Sequence, residues 1–306
     1  MKSLGRIRES NTTAVICLLL TMVLFGFSFL FTRVALTSAS AFTLLSWRFF
    51  TAFVFMTLLR AFRIVKIEFK GFSVSLLCIG LFHPILYFTL ETFGIALTSV
   101  SESSIIISTV PIVSMLMAAL FLKEPPTRLQ TVSVILAVLG TVVVVLGGSG
   151  SYMTFSAPGY LALFGAVFSG GFFFIFSRRA ENYSSAAKAY VMLGMGFITF
   201  TIAAAAEHIM KGTVSEWLTL PFRNLDFMIS LLYLGALASI AGTWALNFGI
   251  ARLGVHRSSA FMGISTVVSI IAGVLILHEP FTFSRGAGAA MILLGVTGVN
   301  LLGKKS

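Results

Sequence analysis

Long apolar runs fill the chain, each ended by a short cluster of charged, glycine or proline residues. A helix needs about 20 apolar residues to cross the hydrocarbon core of a bilayer. Ten runs meet that length: 13–33, 41–60, 72–95, 101–122, 128–147, 157–177, 188–208, 227–249, 255–277 and 285–302. The connections are short. The longest, from Lys211 to Asp226, is amphipathic, and none is long enough to be a separate soluble domain. The pattern predicts an all-α integral membrane protein with ten transmembrane helices.

Composition agrees. Of 306 residues, 58% are hydrophobic and 10% charged, and the mean hydropathy is +1.01. Soluble domains carry about 25% charged residues, so a cytosolic enzyme is excluded. A disordered chain, which needs low hydrophobicity, is excluded too. The net charge of +11 would suit nucleic acid if it formed one basic face. It does not: the basic residues fall in the gaps between runs. Cys17 and Cys78 both sit inside apolar runs and read as small core residues.

The gaps orient the chain, because cytoplasmic loops are rich in Lys and Arg. One side holds 16 of them: Lys2, Arg6, Arg8, Arg60, Arg63, Lys66, Lys70, Lys123, Arg128, Arg178, Arg179, Lys188, Arg252, Arg257, Lys304 and Lys305. The other holds 4, Arg33, Lys211, Arg223 and Arg285, and Arg48 lies within a span. This imbalance predicts both termini in the cytoplasm. Lys2, Arg6 and Arg8 before an apolar stretch also suit a signal peptide, but the 14–31 stretch is long for one, and we expect the first span to be retained.

The sequence repeats itself. A shift of 155 residues aligns Gly94-Ile95-Ala96 with Gly249-Ile250-Ala251 and Leu122-Lys-Glu124-Pro125 with Leu277-His-Glu279-Pro280. From 94 to 146, 17 of 53 positions are identical, which is above chance for apolar sequence. A shift of 145 aligns Gly26–Arg33 with Gly171–Arg178. The expected units are 1–150 and 151–306, with five helices each. An odd number inverts the second copy, and inverted repeats characterise secondary transporters, although a duplication that only stabilises a bundle would look the same.

Ten spans as five plus five, Pro111 in span four, the repeated Leu-x-Glu-Pro, Gly94-Ile-Ala-Leu-Thr-Ser and Arg48 in span two resemble the drug/metabolite transporter superfamily, in particular its EamA-type branch. The resemblance implies a central cavity lined by spans one to four and six to nine, with spans five and ten beside them. It also implies a small-molecule substrate, often an exported amino acid or related metabolite, and a bacterial inner (plasma) membrane. One departure is Thr266 where the first copy has Pro111, so a kink there need not be symmetric.

Ionisable groups inside a membrane are functional suspects. His83, Tyr87 and Glu91, at i, i+4 and i+8, share one face of span three, with His83 near mid-span. Arg48 lies at a depth close to that of Glu91. The pair fits either a static salt bridge or a site that exchanges a proton or a charged substrate. Trp244 and Asn247 on span eight, Ser108 near the kink at Pro111, and Ser265 and Ser269 on span nine are further candidates. Thr127-x-x-Gln130 reads as a capping box. Glu124 and Glu279 read as shaping their turns. The glycines of span ten suit close packing, within the bundle or in a homodimer.

No Walker A motif is present, and no cofactor or metal is expected. A nucleotide-sugar or sugar-phosphate exchanger needs several deep basic groups, and only Arg48 qualifies. A membrane enzyme needs a nucleophile–base set or a metal cluster that the loops do not offer. A non-transporting subunit is the remaining alternative.

Overall fold

Residues 11–67, 71, 73–122, 127–147 and 156–301 are described by the computed structural model. Lys2, Arg6, Arg8, Lys70, Lys123, Glu124, Pro125, Lys304 and Lys305 lie outside them, as does the side chain of Arg257. The described chain is helical and contains seven stretches long and apolar enough to cross a membrane: Thr13–Ala35, Ala41–Ala61, Val74–Leu97, Val100–Phe121, Ala157–Arg179, Ser185–Lys211 and Leu225–Leu253. Two shorter apolar helices are Arg128–Val144 and Met262–Ile276. Large apolar side chains such as Leu20, Leu120, Leu161 and Leu294 point outward, as an all-α, multi-pass membrane protein requires.

Local chemistry sets the helix ends. α1 (Asn11–Ala35) precedes a turn, and the Ser40 hydroxyl caps α2 (Ala41–Ala61) by accepting from Thr43 N–H. The third span is not one helix. α3 (Val74–Gly80) and α4 (Tyr87–Leu97) are separated by a wide-turn segment, Leu81–Leu86, in which His83 is extended at φ −148°, ψ 99°. Pro84 explains this: its ring drives the preceding residue out of the helical region, and it carries no N–H for the ladder. The Phe82 carbonyl in this segment accepts from Tyr87 N–H and also from Ser169 Oγ at 2.7 Å, which ties the break to α8.

Ser99 and Glu102 form a capping box that opens α5 (Val100–Ile107). α5 gives way to α6 (Val110–Leu122) at Ser108 (φ −63°, ψ −10°). Pro111 offers no N–H to the turn before it, and the Ser108 and Thr109 hydroxyls fold back on the Ile105 and Ile106 carbonyls. The expected capping box opens α7 (Arg128–Gly147), with Gln130 Oε1 accepting from Thr127 N–H at 2.8 Å. Ser156 caps α8 (Ala157–Arg179), and Ser184 caps α9 (Ser185–Lys211), which ends on Gly212 in the left-handed region. The amphipathic connection holds a short helix, α10 (Val214–Arg223). It is pinned to α2 by Trp217 Nε1 on Ser46 Oγ and by Trp47 Nε1 on the Trp217 carbonyl.

α11 (Leu225–Leu231) leads into a second wide-turn segment, Leu232–Gly242, and α12 (Thr243–Ala260). The break expected near 250–254 is absent, because the chain stays helical to Ala260. Leu253-Gly254 stand where Thr98-Ser99 do and lack their capping hydroxyls. The helix breaks at Phe261 (φ −67°, ψ −17°), before α13 (Met262–Ile276) and α14 (Phe283–Leu301). That geometry nearly matches Ser108, so a break occurs in both halves although only one has proline.

α2 packs on α9, α4 and α6 on α8, and α1 on α12 and α13. Contacts between turns sort the helix ends into two groups. At one end, Arg33 Nη1 donates to the Ile95 and Ala96 carbonyls, both at 2.9 Å, and Ser40 Oγ donates to Glu207 Oε2. Tyr160 OH reaches Glu102, and Val100 N–H reaches Glu279, at the same end. At the other, Tyr183 OH donates to the Gly71 carbonyl, and the Arg60 guanidinium lies over Tyr190. The first is the end the basic-residue count predicts to be outside.

The glycine face of α14 is used within the chain, against α7: a Cβ on Gly295 would lie 2.5 Å from the Ser133 carbonyl, and one on Gly288 2.7 Å from the Gly140 carbonyl. Gly295→Val is therefore expected to cost about 1–3 kcal/mol, as overpacking does. A thermal-shift assay in detergent checks this, and an unchanged midpoint would mean that the two helices are not held at this distance.

Candidate functional site

The break in the third span faces a small cavity of about 50 Å³. Arg48, His83, Tyr87 and Glu91 all line it, as do Phe25, Phe29, Phe88, Phe173 and Phe174. Ser28, Leu246 and Ser265 complete parts of the wall. Its outline is apolar and aromatic, with a few charged or polar groups, which is the usual make-up of a small-molecule site.

Arg48 is only 2% exposed, and its orientation is held from two sides. Its Nε donates to Ser239 Oγ at 3.0 Å, and Cζ lies 4.3 Å from the centre of the Phe88 ring. Ser239 belongs to the wide-turn segment 232–242, so an irregular helix late in the chain anchors an arginine early in it. The two Nη nitrogens make no hydrogen bond to protein among the described residues. That leaves the forked edge, the part that matches a carboxylate bidentately, turned to the cavity.

Glu91 accepts one hydrogen bond, from Tyr87 OH at 2.8 Å, one helical turn away. It forms no salt bridge with Arg48; the ion pairs among the described residues lie elsewhere. Both charges face one cavity and remain apart. Buried charges are costly unless paired, so the arrangement invites a ligand, or water and protons, between them. The His83 ring packs against Tyr87, Phe88 and Phe173 at centroid distances of 4.8, 4.9 and 4.6 Å. Its Nδ1 is buried and has no hydrogen-bond partner. Chemically, the cavity can receive an anion at Arg48, a cation or proton at Glu91, and an apolar group among the phenyl rings.

Of the other sequence candidates, Ser265 lines the cavity, and Trp244, Asn247, Ser108, Pro111 and Ser269 lie outside its lining. Trp244 stacks on Phe248, and Asn247 is fully buried between helices, accepting from Ser177 Oγ and donating to the Thr243 carbonyl. Ser108 and Pro111 sit at the α5–α6 break, and Ser269 donates to the Gly26 carbonyl. Two cations counted as loop residues prove to be buried. Lys188 donates to the Ser177 carbonyl at the end of α8, where a cation complements exposed carbonyls, and Arg285 pairs with Glu102 at 2.7 Å. Sequence reasoning missed Ser239, which is 191 residues from Arg48 and looks like a packing serine. It also missed Glu102, which its capping position disguises. No group of three or more His, Cys, Asp or Glu side chains that could hold a metal occurs among the described residues.

Known proteins match the chain along its length. The model of the EamA-like transporter family matches residues 12–146 and again 157–301. An uncharacterized transporter of Bacillus subtilis (strain 168), YcxC, is 33% identical over 297 residues, covering 96% of this chain and 95% of its own. A protein of Streptantibioticus cattleyicolor named "Probable terminal-alkyne amino-acid exporter" is 26% identical over 223 residues, 72% of this chain and 69% of its own. A solved crystal structure superposes with a TM-score of 0.66 at 19% identity, over 97% of this chain and 98% of the other, and so shares the fold.

Proposed function

The chain belongs to the EamA-like transporter family, within the drug/metabolite transporter superfamily, and from that premise we propose that it carries small zwitterionic metabolites, amino acids foremost, out of the cell by alternating access. It is an integral, multi-pass membrane protein that moves small molecules, and its family is one of transporters, not enzymes. In the reading proposed here, ten helices form two inverted halves, 1–150 and 151–306. Both termini lie in the cytoplasm, and the membrane is a bacterial inner membrane. The double match of the family model and the two breaks at Ser108 and Phe261 support the paired halves.

One observation carries the substrate class: Arg48 and Glu91 face the same cavity without pairing, among phenyl rings. Their charges sum to zero, so the ligand that best completes them has a carboxylate at one end, an ammonium at the other, and an apolar side chain. The amino-acid substrate in the name of the Streptantibioticus relative points the same way. A nucleotide sugar would bring two phosphates to one arginine and leave Glu91 opposed to them. Glu91 is the group we assign to proton coupling.

Purified protein in liposomes, tested by counterflow with amino acids, amines, carboxylic acids and sugar nucleotides, decides the matter. Apolar and aromatic amino acids are expected to exchange. Exchange of sugar nucleotides alone, or of nothing in the panel, would overturn the reading.

A further inference from the structure

The second copy of the Leu-x-Glu-Pro motif lies outside the cavity lining and sits at the centre of a seal between the two halves of the sequence. Glu279 Oε1 accepts from Val100 N–H at 2.7 Å. Its Oε2 accepts from Ser101 N–H at 3.0 Å and from Ser101 Oγ at 2.7 Å. A carboxylate from the turn after α13 therefore caps the first residues of α5, which come from the other half of the sequence. Beside it, Glu102 Oε1 takes Arg285 Nη2 at 2.7 Å and Tyr160 OH at 3.1 Å, and Arg285 Nη1 donates to the Pro280 carbonyl at 2.7 Å. Farther in, Thr266 Oγ1 reaches the Ser104 carbonyl at 3.2 Å, which joins α13 to α5. These contacts stand between the cavity and the predicted outer face.

The two carboxylates differ in what surrounds them. Glu102 and Arg285 are 3% and 2% exposed, so parting them would leave bare charges in an apolar setting. Glu279 is only half-buried, and water can replace its partners when it lets go. Two further features place it. Gly273 lacks a side chain where a Cβ would lie 2.7 Å from Glu279 Oε2 and 2.9 Å from Ser101 Oγ. His278, at φ +53°, closes α13 in a left-handed C-terminal turn in which Glu279 N–H donates to the Gly273 carbonyl at 3.0 Å, and this turn aims the Glu279 side chain back at α5.

We infer that Glu279 is the releasable catch of the gate at the predicted outer end, and that the Glu102–Arg285–Tyr160 cluster beside it is the fixed pivot about which α5 and α13 part. The inference rests on the transporter reading. Its test needs no substrate, so the two can fail separately.

With Cys17 and Cys78 replaced, Ser28→Cys puts a single thiol in the cavity wall. Thr37→Cys, in the exposed turn at the same end, identifies the side from which an impermeant thiol reagent is added. In the Ser28→Cys background, Glu279→Ala is expected to raise labelling from that side at least several-fold, and Ser101→Ala to raise it less. Glu102→Gln should instead lower the yield of folded protein. A second measurement guards against misfolding: oxidised Ser101→Cys/Glu279→Cys should hold Ser28→Cys at its slowest labelling, and reduction should release it. Unchanged labelling in a folded Glu279→Ala protein, or labelling of the oxidised double variant as fast as the reduced one, would make Glu279 a static helix cap and overturn the inference.

Discussion

Arg48→Ala is expected to raise the apparent KM for zwitterionic substrates by roughly 10- to 150-fold. Hydrogen bonds to a charged group are worth about 1.5–3 kcal/mol, and each 1.4 kcal/mol is about tenfold in affinity. The arginine is held by Ser239 and Phe88, so its fork is already oriented and little binding energy is lost in ordering it. Arg48→Lys keeps the charge but gives up the planar fork and the Nε bond, so its KM should fall between the two. The loss should be selective. Amines without a carboxylate never used Arg48, and in Arg48→Ala they meet Glu91 with no opposing cation, so their exchange should persist or improve. Counterflow with a matched pair, an amino acid and its decarboxylated amine, measures the difference. Equal losses for both would mean that Arg48 supports the fold of the cavity and does not read the carboxylate.

Glu91→Gln is the complementary case. The amide has the carboxylate's shape and still accepts from Tyr87 OH, so the helix face is preserved while the charge and the titration are lost. Exchange of zwitterions should fall by a factor similar to that of Arg48→Ala, and carboxylates lacking an amine should be spared. If Glu91 carries the coupling proton, an imposed pH gradient that drives the native protein should no longer drive this variant. A gradient response of native size in Glu91→Gln would place the proton elsewhere and leave Glu91 as a structural acceptor for Tyr87. Combining the two substitutions should cost less than the separate losses suggest, because the cavity becomes neutral again and neither charge is stranded.

The seven long spans were legible because a bilayer dictates them: lipid offers the backbone no partners, so apolar stretches of a fixed length must be helices. The face carrying Tyr87 and Glu91 was legible from helical spacing, whereas His83 reaches the same cavity from an extended residue in the break. What lay inside the spans was harder to read. Pro84 stands next to His83 in the sequence and carries the signal for the break, yet a hydropathy window passes over a single residue. The partner of Arg48 could not be read at all, because a serine 191 residues away differs from a packing serine only through the fold that brings it there. Lys188 and Arg285 show the converse error. Basic residues near span ends were counted as loop charge, but a long side chain there can turn inward onto a helix end or a buried carboxylate. The turns that contact one another are those that the alternation of the spans puts at one end.

The clasp between α7 and α14 also bears on how the protein is made. α7 enters the bilayer with a groove shaped for a glycine face that has not yet been synthesised, since Gly140 and Gly288 meet only after most of the chain has emerged. At about 5–20 residues per second, that groove faces lipid or the insertion machinery for roughly 7–30 seconds. During that interval the first five helices are an unfinished product, open to capture by quality-control proteases or by α14 of another nascent chain. A polysome-dense message would make such an exchange between neighbouring chains a real hazard of biogenesis, one set by helix order and not by the transport cycle.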